Sequence, residues 1–272
     1  MNEKPLLPFN VGSDWISIDG MHYVHTLTAH ARTRRADRHL GLALAFVAGA
    51  INAGGFLAVH RYTSHMTGIV SGAADDLALG AAGLALDALG AMLSFLAGAA
   101  CTALMVNHAR RHALASLYAL PLLLEALLLL VFGLLGARLA GMDGLFVPAT
   151  VMLLCFMMGL QNALMTKVSH AEIRTTHMTG IVTDIGIELG KLLYWNADGQ
   201  RLPRVGANHA RLALLCGLLG SFFAGGVVGA LGFRQVGWLA TVPLAVLLMV
   251  LAIGPAVEDM KGLIRRLARR WL

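Results

Sequence analysis

The chain has 272 residues, of which 57% are hydrophobic and only 13% charged, with a mean hydropathy of +0.70. A soluble globular domain carries about 25% charged residues, so the composition excludes that class and implies several membrane crossings. The net charge of +6 does not describe a nucleic-acid surface, because the basic residues gather at span ends and termini.

Residues 1–39 form a polar segment carrying Arg32, Arg34, Arg35 and Arg38. It lacks the apolar core and small-residue cleavage site of a signal peptide and is expected to be cytoplasmic. Candidate spans of about 20 residues, enough for a hydrocarbon core of roughly 30 Å, follow at 40–59, 88–107, 117–139, 146–165, 210–232 and 236–254. The expected membrane domain covers 40–255. In the tail, 256–272, Met260, Leu263, Ile264, Leu267 and Trp271 alternate with Lys261, Arg265, Arg266, Arg269 and Arg270. This pattern predicts a basic amphipathic helix on the inner leaflet. Cys101, Cys155 and Cys216 lie in three different apolar stretches without a CxxC pair, which argues against a disulfide framework or a zinc site.

The membrane domain contains a duplication. Thr63-Ser64-His65-Met66-Thr67-Gly68-Ile69-Val70 recurs 112 residues later as Thr175-Thr176-His177-Met178-Thr179-Gly180-Ile181-Val182. Three further matches keep the same order: Gly49-Ala50-Ile51-Asn52-Ala53 with Gly159-Leu160-Gln161-Asn162-Ala163, Ser94-Phe95-Leu96-Ala97-Gly98 with Ser221-Phe222-Phe223-Ala224-Gly225, and Leu120-Pro121-Leu122 with Val242-Pro243-Leu244. The halves are repeat one, 40–140, and repeat two, 146–255. Hydrophobic spans interrupted at corresponding places in two halves point to a transporter's binding site, because unwound backbone survives at membrane depth only where protein or a cavity satisfies it.

The short window after the first HMTG contains Asp75 and Asp76, and the one after the second contains Asp184, Glu188 and Lys191. Such charge is costly for a full crossing and suits a half-helix ending at the interface. The expected architecture is therefore all-α: six transmembrane helices as two inverted three-helix repeats, each with a re-entrant HMTG element, at residues 60–80 and 172–191. With both termini inside, only Arg61, Arg138 and Arg234 lie outside and 18 of the 21 basic residues lie inside, a better fit to the positive-inside rule than eight crossings.

In the inverted arrangement both HMTG segments meet near the midplane. Substrate-binding candidates are His65, Thr67, Gly68, His177, Thr179 and Gly180, joined by Asn52 and Gln161. Gly68 and Gly180 tolerate backbone conformations other residues resist. Thr67 and Thr179 can cap the half-helices, whose free N–H groups carry partial positive charge toward an anion or carboxylate. The imidazoles can bind a solute or relay protons; the alternative is that they only satisfy loose backbone. Asn52, Gln161 and Asn162 can equally be interhelical hydrogen-bond ties. Glu125, near the middle of a leucine-rich span, and Asp184, one turn into the second half-helix, are proton-coupling candidates, since an intramembrane carboxyl takes up a proton or a partner. Asp76 and its match Glu188 fit solvated charges at half-helix ends.

The segments MGLQNA at 158–163 and TTHMTGIVTDIG at 175–186, with the weaker twin after residue 63, resemble the YoaK-type family of bacterial membrane proteins, domain of unknown function 1275. The resemblance spans roughly residues 40–255 and implies a six-span bacterial inner-membrane protein, with no settled activity. The family pattern commonly has Asp where Asn52 stands and Asn where Ile69 stands.

The function expected is a secondary transporter or exporter of a small solute, anionic or carboxylate-bearing, with proton coupling as an option. Its partners are that solute and the lipid bilayer; nucleic acid is not expected, and a homo-oligomer is left open. No catalytic residue, metal site or cofactor is assigned: GxSxG, HExxH and P-loop signatures are absent from the sequence. Three alternatives stand beside it. Met66 and Met178 next to the histidines allow a soft-metal, copper-type transporter. An embedded enzyme around His65, His177 and Asp184 is another, and a non-transporting sensor or scaffold the third.

Overall fold

The computed structural model describes residues 34–59, 62–112, 114, 117–139, 143–169, 175–196 and 204–253. The expected basic N-terminal segment up to residue 33 and the amphipathic tail lie outside the described residues, as do residues 60–61 and 170–174 beside the HMTG motifs. All regular structure among the described residues is helical. The elements are α1 (Arg34–Val59), α2 (Met66–Ala78), α3 (Ala82–Arg111), α4 (Ala119–Leu139), α5 (Asp143–Val168), α6 (Met178–Leu193) and α7 (His209–Val236), then a 3₁₀ turn (Gly237–Ala240) and α8 (241–253).

Five segments are long and apolar enough to cross a membrane: Asp37–Leu57, Ala82–Arg111, Ala119–Gly136, Pro148–Val168 and His209–Ile253. The last has 45 residues and holds both α7 and α8. Gly237 interrupts it with φ +59°, a left-handed backbone that favours glycine. The same freedom is used at Gly80, φ +76°, where the chain turns sharply from α2 into α3.

The helices that open each half lie at the centre. In the apolar windows of α1 and α5, 67% and 61% of residues are buried, against 22% in α3, which leaves most of α3 to face the surroundings. α1 and α5 run antiparallel: Gln161 Nε2 donates to the carbonyl of Leu44 (3.2 Å), while Gly55 lies against the Leu154 side chain, so positions rising along one helix fall along the other. Each of them also packs in parallel on the third helix of the opposite half. Gly49 of α1 sits on the Phe222 carbonyl of α7 and Gly225 on that of Phe46; Gly159 of α5 sits on the Phe95 carbonyl of α3 and Gly98 on that of Phe156. These four glycines are two matched pairs of the sequence repeat. With no Cβ they let backbones approach as small residues do between membrane helices. One step further, Thr102 Oγ1 donates to the Leu160 carbonyl (2.9 Å), where the second half has Gly229 on the Ala50 carbonyl. Leu44, Leu122, Leu154, Met157, Met158, Leu164, Leu218 and Leu248 fill the space between helices.

α2 and α6 are the short elements. At 1.5 Å per residue their 13 and 16 residues span about 20 and 24 Å. Each doubles back along the helix that follows. α6 meets α7 through Asp184 with Arg211 and Glu188 with Asn208, an antiparallel register.

Candidate functional site

Each HMTG motif begins in a short non-helical stretch tied down by an asparagine of the preceding helix. Ser64 Oγ donates to Asn52 Oδ1 (2.9 Å), and Thr176 Oγ1 donates to Asn162 Oδ1 (2.7 Å). The two bonds are equivalents in the repeat. Cys155 Sγ adds a bond to the Thr63 carbonyl (3.4 Å), fastening the first motif to α5. The side-chain hydroxyls of Thr63 and Thr175 are buried without a hydrogen-bond partner among the described residues.

The residues at the N-cap positions are His65 and His177, and neither forms a side-chain cap. Thr67 and Thr179 stand at the second position inside α2 and α6, so the capping role expected for them is corrected: each helix starts two residues too early for the threonine to be its N-cap. The first-turn N–H groups ahead of Ile69 and Ile181 accordingly lack intrahelical partners. At Gly68 and Gly180 the space a side chain would occupy is taken by an imidazole. A Cβ at Gly68 would meet Nδ1 of His65, and one at Gly180 would meet Nδ1 of His177. Each glycine leaves room for the imidazole three residues before it.

The two motifs line one central cavity of about 670 Å³. Its walls pair residue by residue: Asn52 with Asn162, Ser64 with Thr176, His65 with His177, Met66 with Met178, Thr67 with Thr179 and Phe95 with Phe222; Tyr62 and Thr166 complete it. No Asp, Glu, Lys or Arg is among these residues, so hydroxyls, amides, imidazoles and helix N-termini supply the polarity. Tyr62 is positioned by stacking on Phe56, centroids 4.5 Å apart. A second cavity of about 360 Å³, lined in part by Asp76 and Asp87, shares Tyr62 and His65 with the first.

Five expected site residues do not line the central cavity: Gly68 lines only the second, Gly180 lines neither, and Gln161, Glu125 and Asp184 lie elsewhere. Gln161 is fully buried in the α1–α5 contact, its Oε1 without a partner among the described residues. Glu125 is fully buried within α4 with neither carboxylate oxygen hydrogen-bonded among the described residues. Asp184 is 39% exposed and paired with Arg211 at 2.9 Å, a surface ion pair at the start of α7. Glu188, expected as a solvated end charge, is instead 1% exposed. It lies outside the five apolar spans. The Lys191 Nζ hydrogen bond, then the Asn208 N–H, hold its carboxyl below the usual carboxylate range. Phe95, Phe222, Tyr62 and Thr166 were not among the expected lining residues, although Phe95 and Phe222 fall inside a repeated segment.

Five segments apolar and long enough to cross a membrane, packed around a cavity lined by the duplicated motifs, are compatible with a multi-pass membrane protein. The family model described as "Protein of unknown function (DUF1275)" matches residues 40–254, and the chain belongs to that family. No curated protein and no solved structure matches it.

Proposed function

We infer that the chain is a secondary transporter or exporter of a small anionic or carboxylate-bearing solute, held in the central cavity between the two HMTG segments. The observation that carries this reading is that the repeated motifs, 112 residues apart in sequence, line one cavity as matched pairs. First-turn N–H groups without intrahelical partners, those of Thr67 and Gly68 in α2 and of Thr179 and Gly180 in α6, supply donors for an anion, and His65 and His177 supply hydrogen bonds or, when protonated, charge.

The architecture that goes with it is six crossings in two inverted repeats, with α2 and α6 re-entrant, in a bacterial inner membrane with both termini inside. The antiparallel course of α1 and α5, which open the two halves, favours inversion. So do lengths: α2 and α6 are shorter than a hydrocarbon core of roughly 30 Å, whereas 45 residues of helix would extend about 68 Å, room for α7 and α8 to cross separately. Glu125 is the proposed proton site.

The test is a thermal-shift screen of small carboxylates and other anions on detergent-purified protein, followed by flux into proteoliposomes. A stabilising anion that is also transported, with both effects lost in His65→Ala/His177→Ala, is the expected result. Flux of no solute at all would favour an enzyme, sensor or scaffold. A second reading draws on Met66 and Met178, which line the cavity beside the histidines and suit a soft cation. Stabilisation by silver(I) or copper(I), with no response to anions, would favour it.

A further inference from the structure

The halves match at the motif and differ in charge just behind it. On α6, Asp184 and Glu188 are four residues apart and share a helix face. That face meets the first turn of α7. Asp184 Oδ2 pairs with Arg211 at 2.9 Å, while Glu188 accepts Lys191 Nζ through Oε1 (2.8 Å) and the Asn208 N–H through Oε2 (2.7 Å). Asn208 is in turn the N-cap of α7, its Oδ1 accepting the Arg211 N–H at 3.0 Å. The exposed Asp184–Arg211 pair contributes little by itself. Glu188 is the stronger tie, because it is buried, both its oxygens are engaged and it faces the positive end of α7.

The first half has none of this. By the repeat, Asp184 corresponds to Gly72, Glu188 to Asp76, Lys191 to Leu79, Asn208 to Ala81 and Arg211 to Leu84. Ala81 is the N-cap of α3 and makes no side-chain cap. Asp76 instead lines the 360 Å³ cavity together with Asp87, two like charges that favour a hydrated gap over a closed seam. That cavity and the central one have Tyr62 and His65 as a common wall, whereas no member of the α6–α7 cluster lines either.

We propose that Asp184, Glu188, Asn208 and Arg211 form a latch that shuts the central cavity on the side where α7 begins, while the unlatched α2–α3 side stands open. Breaking the latch is the step that exposes the bound solute to the other side. This rests on the transporter reading.

The test uses the full chain in proteoliposomes with Cys101, Cys155 and Cys216 replaced by Ala and Thr166→Cys as reporter inside the central cavity. A membrane-impermeant methanethiosulfonate is applied to one face at a time. Labelling is expected to be fast from the α2–α3 face and slow from the other. Asp184→Asn/Glu188→Gln should raise the slow rate about tenfold, the shift that follows from losing some 1.4 kcal/mol of preference for the closed state. Labelling from the α6–α7 face at the parent rate, in a variant that elutes as the parent does, would overturn the latch. An independent variant builds the latch on the open side: Gly72→Asp/Leu84→Arg should slow labelling from the α2–α3 face, and an unchanged rate there also counts against it. Latch-dependent labelling without flux of any solute would sink the transport reading and leave the latch; flux with latch-independent labelling would do the reverse.

Discussion

Gly159 of α5 lies so close to the carbonyl oxygen of Phe95 on α3 that a Cβ would overlap it, and Gly49 of α1 stands in the same relation to Phe222 of α7. The contact is backbone against backbone, so no side chain can swing away to make room. Those same phenylalanines line the central cavity. The helix packing and the cavity wall are therefore set by one interaction in each half.

Gly49→Ala and Gly159→Ala should each destabilise the protein by about 1–3 kcal/mol, the range for overpacking a filled core. The two losses should be similar because the sites are equivalents. Gly186→Ala is the contrast: nothing lies within 4 Å of a Cβ there, and in α6 the change should stabilise by up to roughly 1 kcal/mol through helix propensity. Thermal unfolding in a fixed detergent reads all three. Unaltered midpoints in both Gly49→Ala and Gly159→Ala would contradict the close approach.

The asparagine ties predict a coupling. Thr176 Oγ1 and Asn162 Oδ1 are 2.7 Å apart and partly buried, and Asn162 also bonds the Met158 carbonyl at 2.8 Å. Removing the hydroxyl by Thr176→Val should cost about 0.5–1.5 kcal/mol. In a double-mutant cycle with Asn162→Ala the interaction energy should be about 0.5 kcal/mol or more. Additive losses would mean that the bond does not hold the motif. Ser64 with Asn52 should behave alike.

The duplication was legible because eight residues of the motif recur almost unchanged, and the spacing of the other matches placed both copies on corresponding elements. Asn52 and Asn162 were legible as polar groups in apolar helices, though not as anchors for Ser64 and Thr176, since sequence carries no distance between a helix and the loop that follows it. The glycines of the two Ser-Phe segments were seen as repeated, while their seats on Phe46 and Phe156 depend on each half clasping the other, a tertiary fact. Glu188 misled for the same reason. Its burial comes from Asn208 and Lys191 closing over it, and nothing in its own window of sequence signals that.

Gly68 and Gly180 now predict a histidine effect. An alanine at either position should push the neighbouring imidazole out of place, and that ring is the far end of a flexible side chain, so the fold should survive with a loss under about 1.5 kcal/mol. Solute-induced thermal stabilisation should fall by roughly tenfold in apparent affinity, the equivalent of one displaced hydrogen-bonding group at about 1.4 kcal/mol. His177→Ala/Gly180→Ala should bind no worse than His177→Ala alone, because the glycine acts through the ring. If Gly180→Ala weakens binding further in the absence of His177, the glycine admits the ligand directly, as the sequence first implied.

Glu125 supplies the last prediction. It sits among Leu122, Leu123, Leu124, Ala126 and Leu127 of α4, fully buried, with both oxygens lacking a partner among the described residues. A buried polar group left unsatisfied costs about 1–3 kcal/mol, and an apolar residue of similar size removes that cost. Glu125→Leu should therefore raise stability, by about 1 kcal/mol or more. The use proposed for a carboxyl that costs stability where it stands is carrying a proton. Glu125→Gln keeps the shape without the exchangeable proton, so it should leave solute-induced stabilisation intact while flux loses its response to an imposed pH gradient. Asp184→Asn should keep that response, since Asp184 is half exposed and already paired with Arg211. The paired measurement is stability in detergent and flux in proteoliposomes with and without the gradient. A destabilised Glu125→Leu would show that the carboxyl has a structural partner, and a Glu125→Gln flux that still follows the gradient would remove it from the coupling path.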